Sequence, residues 1–407
     1  MKKWVVWLLV LLLCLPCAMA EENGGFEELG YSDIAGLLPV KRNGMWGVIA
    51  PDGTMVIPCE WDDVHYLAGT NRIPVMRGGL WGCIDLAGNV VVEPVWDNLT
   101  VWPDDTMEVI RDGHAGLLDE NGGVIISCGP YTSVSYSVGG LYRVLNERQR
   151  YGMLNADGSV AVPAQWREIG WFSDGLAYAT MDSRTWCYIN GAGEVVIPGP
   201  FDDARSFRDG VAMVRVGSEY QFIDVQGHSL TAQGWELAKE FSCGLAMVKR
   251  NGLYGYIDCT GETVIPLQFS AANAFAEGVA LVRLGEERIA IDTTGQRLFG
   301  CEYDAAYGMF FNGFIWVMKD GKYGLLNRAG ELVIPCEWDK PMRPFLEGDV
   351  MQMFRDGQLA FVNRQGEMIT GRLWDGAVVS YRIQGEYLYL LEGGVLSIWN
   401  AGGERVY

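Results

Sequence analysis

Met45-Trp46-Gly47-Val48-Ile49-Ala50-Pro51-Asp52-Gly53-Thr54-Met55-Val56-Ile57-Pro58 is the stretch whose reading decides the fold. Two short runs rich in branched and aromatic residues flank a turn, as β-strands do. Within the turn, Pro51 presets the first central dihedral and Gly53 takes the left-handed position that closes a type I turn as a bulge. The stretch predicts a hairpin.

The same pattern recurs down the chain. In the register W-G-x-I-D-x-x-G-x-V-V-I-P the second position falls at Gly47, Gly82, Gly116, Gly152, Cys187, Gln221, Gly255, Ile289, Gly324, Ala360 and Ser397, with steps of 34 to 37 residues. The turn glycine is present in all eleven units: Gly53, Gly88, Gly122, Gly158, Gly193, Gly227, Gly261, Gly295, Gly330, Gly366 and Gly403. Three residues before it stands Asp or Asn in every unit but the first, which has Ala50. Repeats of this length mean stacked supersecondary units, because one unit cannot bury its apolar face alone.

A second turn precedes most W-G strands. Asn43-Gly44, Gly78-Gly79, Asp112-Gly113, Asn251-Gly252, Asp320-Gly321 and Asp356-Gly357 are two-residue signals for primed hairpin turns. Each unit is therefore expected to be a three-stranded meander ending near Pro58, Pro94, Pro163, Pro198, Pro266 or Pro335. The link that follows carries an aromatic (Trp61, Trp96, Trp166, Trp235, Trp338 among them), often an Asp, and then a Phe column at Phe172, Phe207, Phe241 and Phe275. It is long enough for a fourth, short strand.

With these features the chain resembles the WG-repeat (KWG-repeat) family of bacterial β-repeat proteins. The most literal matches are Met45 to Ile49 and Lys322-Tyr323-Gly324-Leu325-Leu326, and the resemblance runs from Gly36 to Tyr407. Trp186-Cys187, Tyr220-Gln221, Arg288-Ile289, Leu359-Ala360 and Leu396-Ser397 depart from the motif. The resemblance implies a binding or scaffolding role and brings no catalytic residues with it.

The expected fold is all-β: about eleven meanders stacked as an open, propeller-like superhelix, since eleven exceeds the usual four to eight blades of a closed ring. A closed propeller, or two side by side, is the alternative. Tyr31 to Ile34 looks like a link aromatic segment that an N-terminal piece could use to complete the last unit. The chain divides into a leader at 1–20, a lead-in at 21–35 and the array at 36–407. The W-G column aromatics (Trp46, Trp81, Tyr151, Trp186, Tyr220, Tyr254, Tyr323) are expected in the core between units.

The first twenty residues read as a secretory signal: Lys2 and Lys3, an apolar run from Trp4 to Leu15, and Ala18-Met19-Ala20 before Glu21. The apolar run is too short to span a bilayer, and no later segment is suited to it. Export, to the cell surface or beyond, is the expected localisation. The 407 residues carry 31 Lys+Arg against 51 Asp+Glu, a net charge of −20. Loss of the leader removes two more positive charges. Nucleic acid is excluded as a partner, because its binding needs clustered cations that release counterions.

Eight cysteines follow the leader. Cys59, Cys128, Cys301 and Cys336 occupy one column six residues after the turn glycine, which suggests small buried thiols rather than a disulfide framework.

Little in the sequence suggests chemistry. His65, His114 and His228 lie at different repeat positions without metal-ligand spacing. There is no phosphate loop and no nucleophile elbow. The adjacent acids Asp62-Asp63, Asp104-Asp105 and Asp202-Asp203 could suggest a glycoside hydrolase, yet two of these pairs sit in the link column where Asp recurs. No catalytic residue, metal ligand or cofactor is assigned. The functional expectation is a non-catalytic scaffold for a protein or peptide, with cell-wall glycan binding as the alternative and hydrolysis behind both. Trp171, Phe310 and Trp316, which look to lie outside the repeat columns, are the candidate ligand contacts.

Overall fold

A computed structural model of the chain describes residues 25–31, 37–65, 71–137, 140–339, 348–376 and 379–407. The signal segment at 1–20 lies outside them. The described residues are strands and turns. The first unit sets the pattern, with β1 (Glu28–Leu29), β2 (Leu38–Arg42), β3 (Met45–Ile49) and β4 (Met55–Trp61) in the antiparallel order β1-β2-β3-β4. The short strand in the link is thus real, and the meander has four strands rather than three.

Both turn columns have the expected backbone. All eleven turn glycines lie at φ between 79° and 87°. The amide of Gly53 bonds the Ala50 carbonyl at 2.9 Å, and the later units repeat that bond. Asp85 shows what the acid in this column does: its Oδ1 accepts from the amides of Ala87 and Asn89 at 2.9 and 2.8 Å. The tight hairpin has both central residues at positive φ, as at Asn43 (52°) and Gly44 (76°).

The glycine of the W-G pair has a different cause. Its φ is not in the left-handed region; it lacks room instead. A Cβ on Gly47 would lie 2.5 Å from the Ile57 carbonyl oxygen and 2.9 Å from the Cys59 thiol, because β4 shifts register between Trp46 and Val48 and crowds β3 there. The bulge lets β4 run on past Pro58 to Trp61, so the proline lies inside an edge strand, where no ladder donor is needed. Gly47–Cys59, Gly116–Cys128 and Gly324–Cys336 face each other as glycine and small thiol. In unit five the two exchange sides: Cys187 stands on the third strand and Gly199, at φ 70°, on the fourth.

Among the described residues eleven apolar clusters hold the units together, each built from two neighbours. Trp46, Val48, Ile57 and Trp61 of unit one meet Val64, Ile73 and Val75 of unit two. The series continues around the chain, and the eleventh cluster joins Tyr389, Leu391, Leu396 and Ile398 of the last unit to Phe26, Leu29, Leu38, Val40 and Ile49 of the first. An open row of eleven would have ten such interfaces. The array therefore closes on itself, as in the ring that the sequence reading ranked second to an open superhelix. The backbone agrees, since the Phe26 amide bonds the Gly394 carbonyl at 3.0 Å and Arg382 Nε bonds the Gly30 carbonyl at 3.1 Å. The ring of Tyr407 lies against Gly53, as Ile57 lies against Gly88.

Closure also shows what the link acids do. Asp62 Oδ2 accepts from the Gly78 amide at 2.6 Å, Asp202 from Gly217 at 2.6 Å and Glu236 from Asn251 at 2.8 Å, so each acid ties the hairpin tip of the next strand pair. For the first unit that acid is Glu27, which accepts from Gly44, and its aromatic neighbour is Phe26. The expected aromatic segment, Tyr31 to Ile34, is not the one used: Tyr31 is exposed, and 32–36 lie outside the described residues. The repeating structure thus begins within the stretch read as a lead-in. Arginines stack on these aromatics, Arg77 over Trp61 at 3.9 Å, Arg250 over Trp235 at 3.9 Å and Arg42 over Phe26 at 4.2 Å.

Candidate binding cleft

The residue after the W-G glycine position is aromatic in four units. Unit one has Val48 there and unit ten has Phe361; units five, six and seven have Tyr188, Phe222 and Tyr256, all fully buried. Each ring packs on the Phe of the following link: Tyr188 on Phe207 at 4.8 Å, Phe222 on Phe241 at 5.0 Å and Tyr256 on Phe275 at 4.7 Å, with interplanar angles of 60°, 59° and 55°. The two tyrosines reach further. Tyr188 donates its hydroxyl to the Arg205 carbonyl at 2.7 Å and Tyr256 donates to the Asn273 carbonyl at 2.6 Å. Burial raises the pKa of both phenols, which keeps them as donors.

Phe222 has no hydroxyl to donate, and a cleft of about 470 Å³ opens beside it. Its floor is Phe207, Val211, Met213, Phe222 and Phe241. Tyr136, Trp171, Phe172 and Ser173 come from the preceding units, while Ser206, Arg208 and Glu240 complete the lining. Trp171 keeps 41% of its surface exposed, with the Arg143 guanidinium 4.4 Å from its ring centre. The volume falls in the range of small-ligand sites. An apolar floor with one cation and one anion in its lining can hold a ring or aliphatic group and orient its polar ends.

Of the three aromatics expected to contact ligand, Trp171 lines this cleft. Phe310 and Trp316 do not: they are 4% and 5% exposed inside inter-unit clusters. Phe310 precedes Phe311-Asn312-Gly313 as Phe207 precedes Arg208-Asp209-Gly210, so it belongs to the Phe column after all. The cleft residues Phe172, Phe207 and Phe241 stood in the sequence as a column, but Phe222, Met213, Arg208 and Glu240 went unnoticed. The substitution of Phe222 between Tyr188 and Tyr256 was the available signal.

Of the W-G column aromatics, Trp46 and Trp81 are buried, and Tyr151, Trp186, Tyr220, Tyr254 and Tyr323 are half-buried against the clusters. The histidines are scattered. His65 stacks on Trp81 at 3.8 Å, with its pKa lowered by burial, and His228 lies 3.2 Å from Asp224. His114 is on the third strand of unit three. Among the described residues no three His, Cys, Asp or Glu side chains gather as metal ligands would. The adjacent acids are engaged with backbone: Asp63 with Val64, Asp105 with Asn71, and Asp203 with Ala204. All eight cysteines are free, with Cys83 and Cys301 buried and Cys243 and Cys259 exposed. Among the described residues no helix is long and apolar enough to cross a membrane.

The sequence model of the WG containing repeat matches residues 46–81, 81–105, 151–184, 186–220, 254–287, 290–323 and 323–367. The chain belongs to the WG-repeat family. Each WG-repeat match runs from about one W-G position towards the next, which is the beat of the meanders. Residues 106–150, 221–253 and 368–407 fall outside the matches. No curated protein matches the sequence. Among solved structures, BamB from Moraxella catarrhalis is similar at 12% identity and a TM-score of 0.34, over 75% of this chain and 99% of that one. A eukaryotic initiation factor is similar at 10% identity and a TM-score of 0.42, over 83% and 95%. The designed Ika8 protein gives 10% and 0.29, over 65% and 94%.

Proposed function

We propose that this WG-repeat ring is an exported, non-catalytic scaffold that binds a protein or peptide at or outside the cell surface, through the cleft beside Phe222. The observation that carries the reading is the cleft itself, of about 470 Å³, lined by Phe207, Phe222 and Phe241 with the exposed Trp171 at its side. Export rests on the leader, with its lysines, apolar run and Ala18-Met19-Ala20 site. The absence of catalysis rests on the acids, which are occupied in tying turns. A cell-wall glycan is the lesser reading, because Phe310 and Trp316 are buried and leave Trp171 alone of the three rings proposed for sugar stacking.

The test is to add the purified mature chain to the surface of the source cells, cross-link, and identify what is recovered. A polypeptide captured by the wild-type protein and lost on Trp171→Ala supports the reading. Recovery of glycan alone, or identical capture by the variant, overturns it. N-terminal sequencing of the protein from the culture fluid or envelope tests export, with Glu21 as the expected first residue.

A further inference from the structure

We propose that unit eight carries an anion site, in which Arg283 and Arg288 bind a doubly charged oxyanion of the size of phosphate or sulfate. The site is separate from the cleft beside Phe222, and its test can fail without touching the scaffold reading.

The row of residues that crosses each sheet at the W-G aromatic shows how unit eight departs from the others. In unit one the row is Glu28, Lys41 and Trp46, paired strand to strand, with the Lys41 ammonium 3.9 Å from Glu28. In unit six it is Asp203, Arg215 and Tyr220. Acid, cation and aromatic stand side by side, and the charges balance. Unit eight has Ala271, Arg283 and Arg288 in the same register. The acid is gone, and a second arginine replaces the aromatic. Residues directly opposite on antiparallel strands share one face, with Cβ atoms about 5 Å apart, and like charges placed so repel.

The chain does little to offset this repulsion. Among the described residues Arg288 has no side-chain hydrogen bond or ion pair, and Glu287, beside it in sequence, is held by Arg297 at 3.1 Å. Arg283 has Glu286 at 3.5 Å, but that carboxylate is fully exposed, where an ion pair contributes little. A pocket of about 220 Å³ opens against both arginines. Its walls include Ala271, Ala272 and Ala306, and among the described residues no carboxylate lines it. Two guanidiniums in one row match the charge and the several oxygens of phosphate or sulfate better than the single charge of a carboxylate. The pocket suits a small ion or the end of a phosphate monoester, while the net charge of −20 works against a polyanion.

The experiment titrates the full mature chain with inorganic phosphate, sulfate, methyl phosphate and acetate by calorimetry at fixed ionic strength. Saturable binding of phosphate or sulfate is expected, with acetate weaker by about tenfold or more. Methyl phosphate separates the two sources within the proposal: it binds as phosphate does if the site takes an ester, and fails if the site takes the free ion. Arg288→Tyr restores the aromatic of unit six and Ala271→Asp restores its acid. Each should weaken phosphate binding by about tenfold or more, with thermal unfolding in the absence of phosphate no lower than in the wild type. Added phosphate should raise the Tm of the wild type and leave that of the variants in place. No saturable binding of phosphate or sulfate, acetate binding as tightly as either, or unchanged binding by both variants overturns the proposal.

Discussion

Units six and seven are neighbours of one length and one register, yet only unit seven has a complete fourth strand. Its strands run Leu237–Ala238, Ala246–Arg250, Leu253–Ile257 and Thr263–Phe269. Unit six has three, Asp203–Ala204, Val211–Val216 and Glu219–Asp224, and its fourth segment touches the sheet only at Tyr220–Trp235 and Ile223–Ser229. The difference is one column. Gly255 lets the fourth strand return against the third through a bulge, whereas Gln221 holds it off. The same holds elsewhere: Ala360 and Ser397 coincide with isolated bridges, Ile289 with a strand shortened to Arg297–Gly300, and Cys187 keeps its strand because Gly199 faces it. A glycine at this position, or facing it as Gly199 faces Cys187 and Gly300 faces Ile289, thus accompanies strand pairing.

The largest effect should follow from making unit seven resemble unit six. Gly255→Val brings a Cβ within 2.6 Å of the Ile265 carbonyl oxygen, and should cost about 2 to 3 kcal/mol in urea unfolding, as severe overpacking does. Gln221→Val, in the unit that has already lost the pairing, should cost about 0.5 kcal/mol or less. Equal costs would break the comparison.

A smaller effect is expected at the aromatic pair. Tyr256→Phe removes the bond to Asn273 and should cost about 1 kcal/mol. Phe222→Tyr should be neutral or stabilising by the same measure. A destabilised Phe222→Tyr would mean that the two interfaces are less alike than their ring geometry indicates.

The pH dependence is finer still. The hydroxyl of Thr260, with backbone amides, holds the Asp258 carboxyl below its ordinary value. Its folded pKa is therefore lower than its unfolded one, so its stabilisation is present above the unfolded value near 3.8 and is lost as pH falls through the folded value. In Asp258→Asn that dependence should disappear. The urea midpoints of wild type and variant should differ more at pH 6 than at pH 2. A gap that is constant across this range would rule out the carboxylate as its source.

Thiol labelling alters stability least and sharpens the map. Cys243 and Cys259, both in unit seven and exposed, should react first at pH 8. Cys83, with its pKa pushed up to about 12 by burial, should stay unlabelled until the ring unfolds. Mass spectrometry would find the error if Cys83 kept pace with the others.

Much of this was legible in the sequence because turns are local. The left-handed glycines, the Asn-Gly and Asp-Gly tips and the Phe column all depend on residues a few positions apart. The length of the strand that follows the turn was harder to read, since the bulge that carries it past Pro58 depends on Gly47, eleven residues earlier and on another strand. Closure was harder again. It depends on a small rotation accumulated over eleven units, and the residue that reveals it, Phe26, meets its partners only when the last unit arrives. The cleft was visible in part: Trp171 could be singled out, but Phe207, Phe222 and Phe241 line one cleft with it only once the units that carry them are packed together.

Each link gives its aromatic and acid to the meander after it, and the first meander is served in the same way by Phe26 and Glu27, next to the place where the chain comes back. The junction between the last meander and the first is therefore one position among eleven equivalent ones. Linking the last meander to the first and cutting the polypeptide at another link would give a circular permutant with the same contacts, so the order in which the meanders are made need not govern the shape they reach.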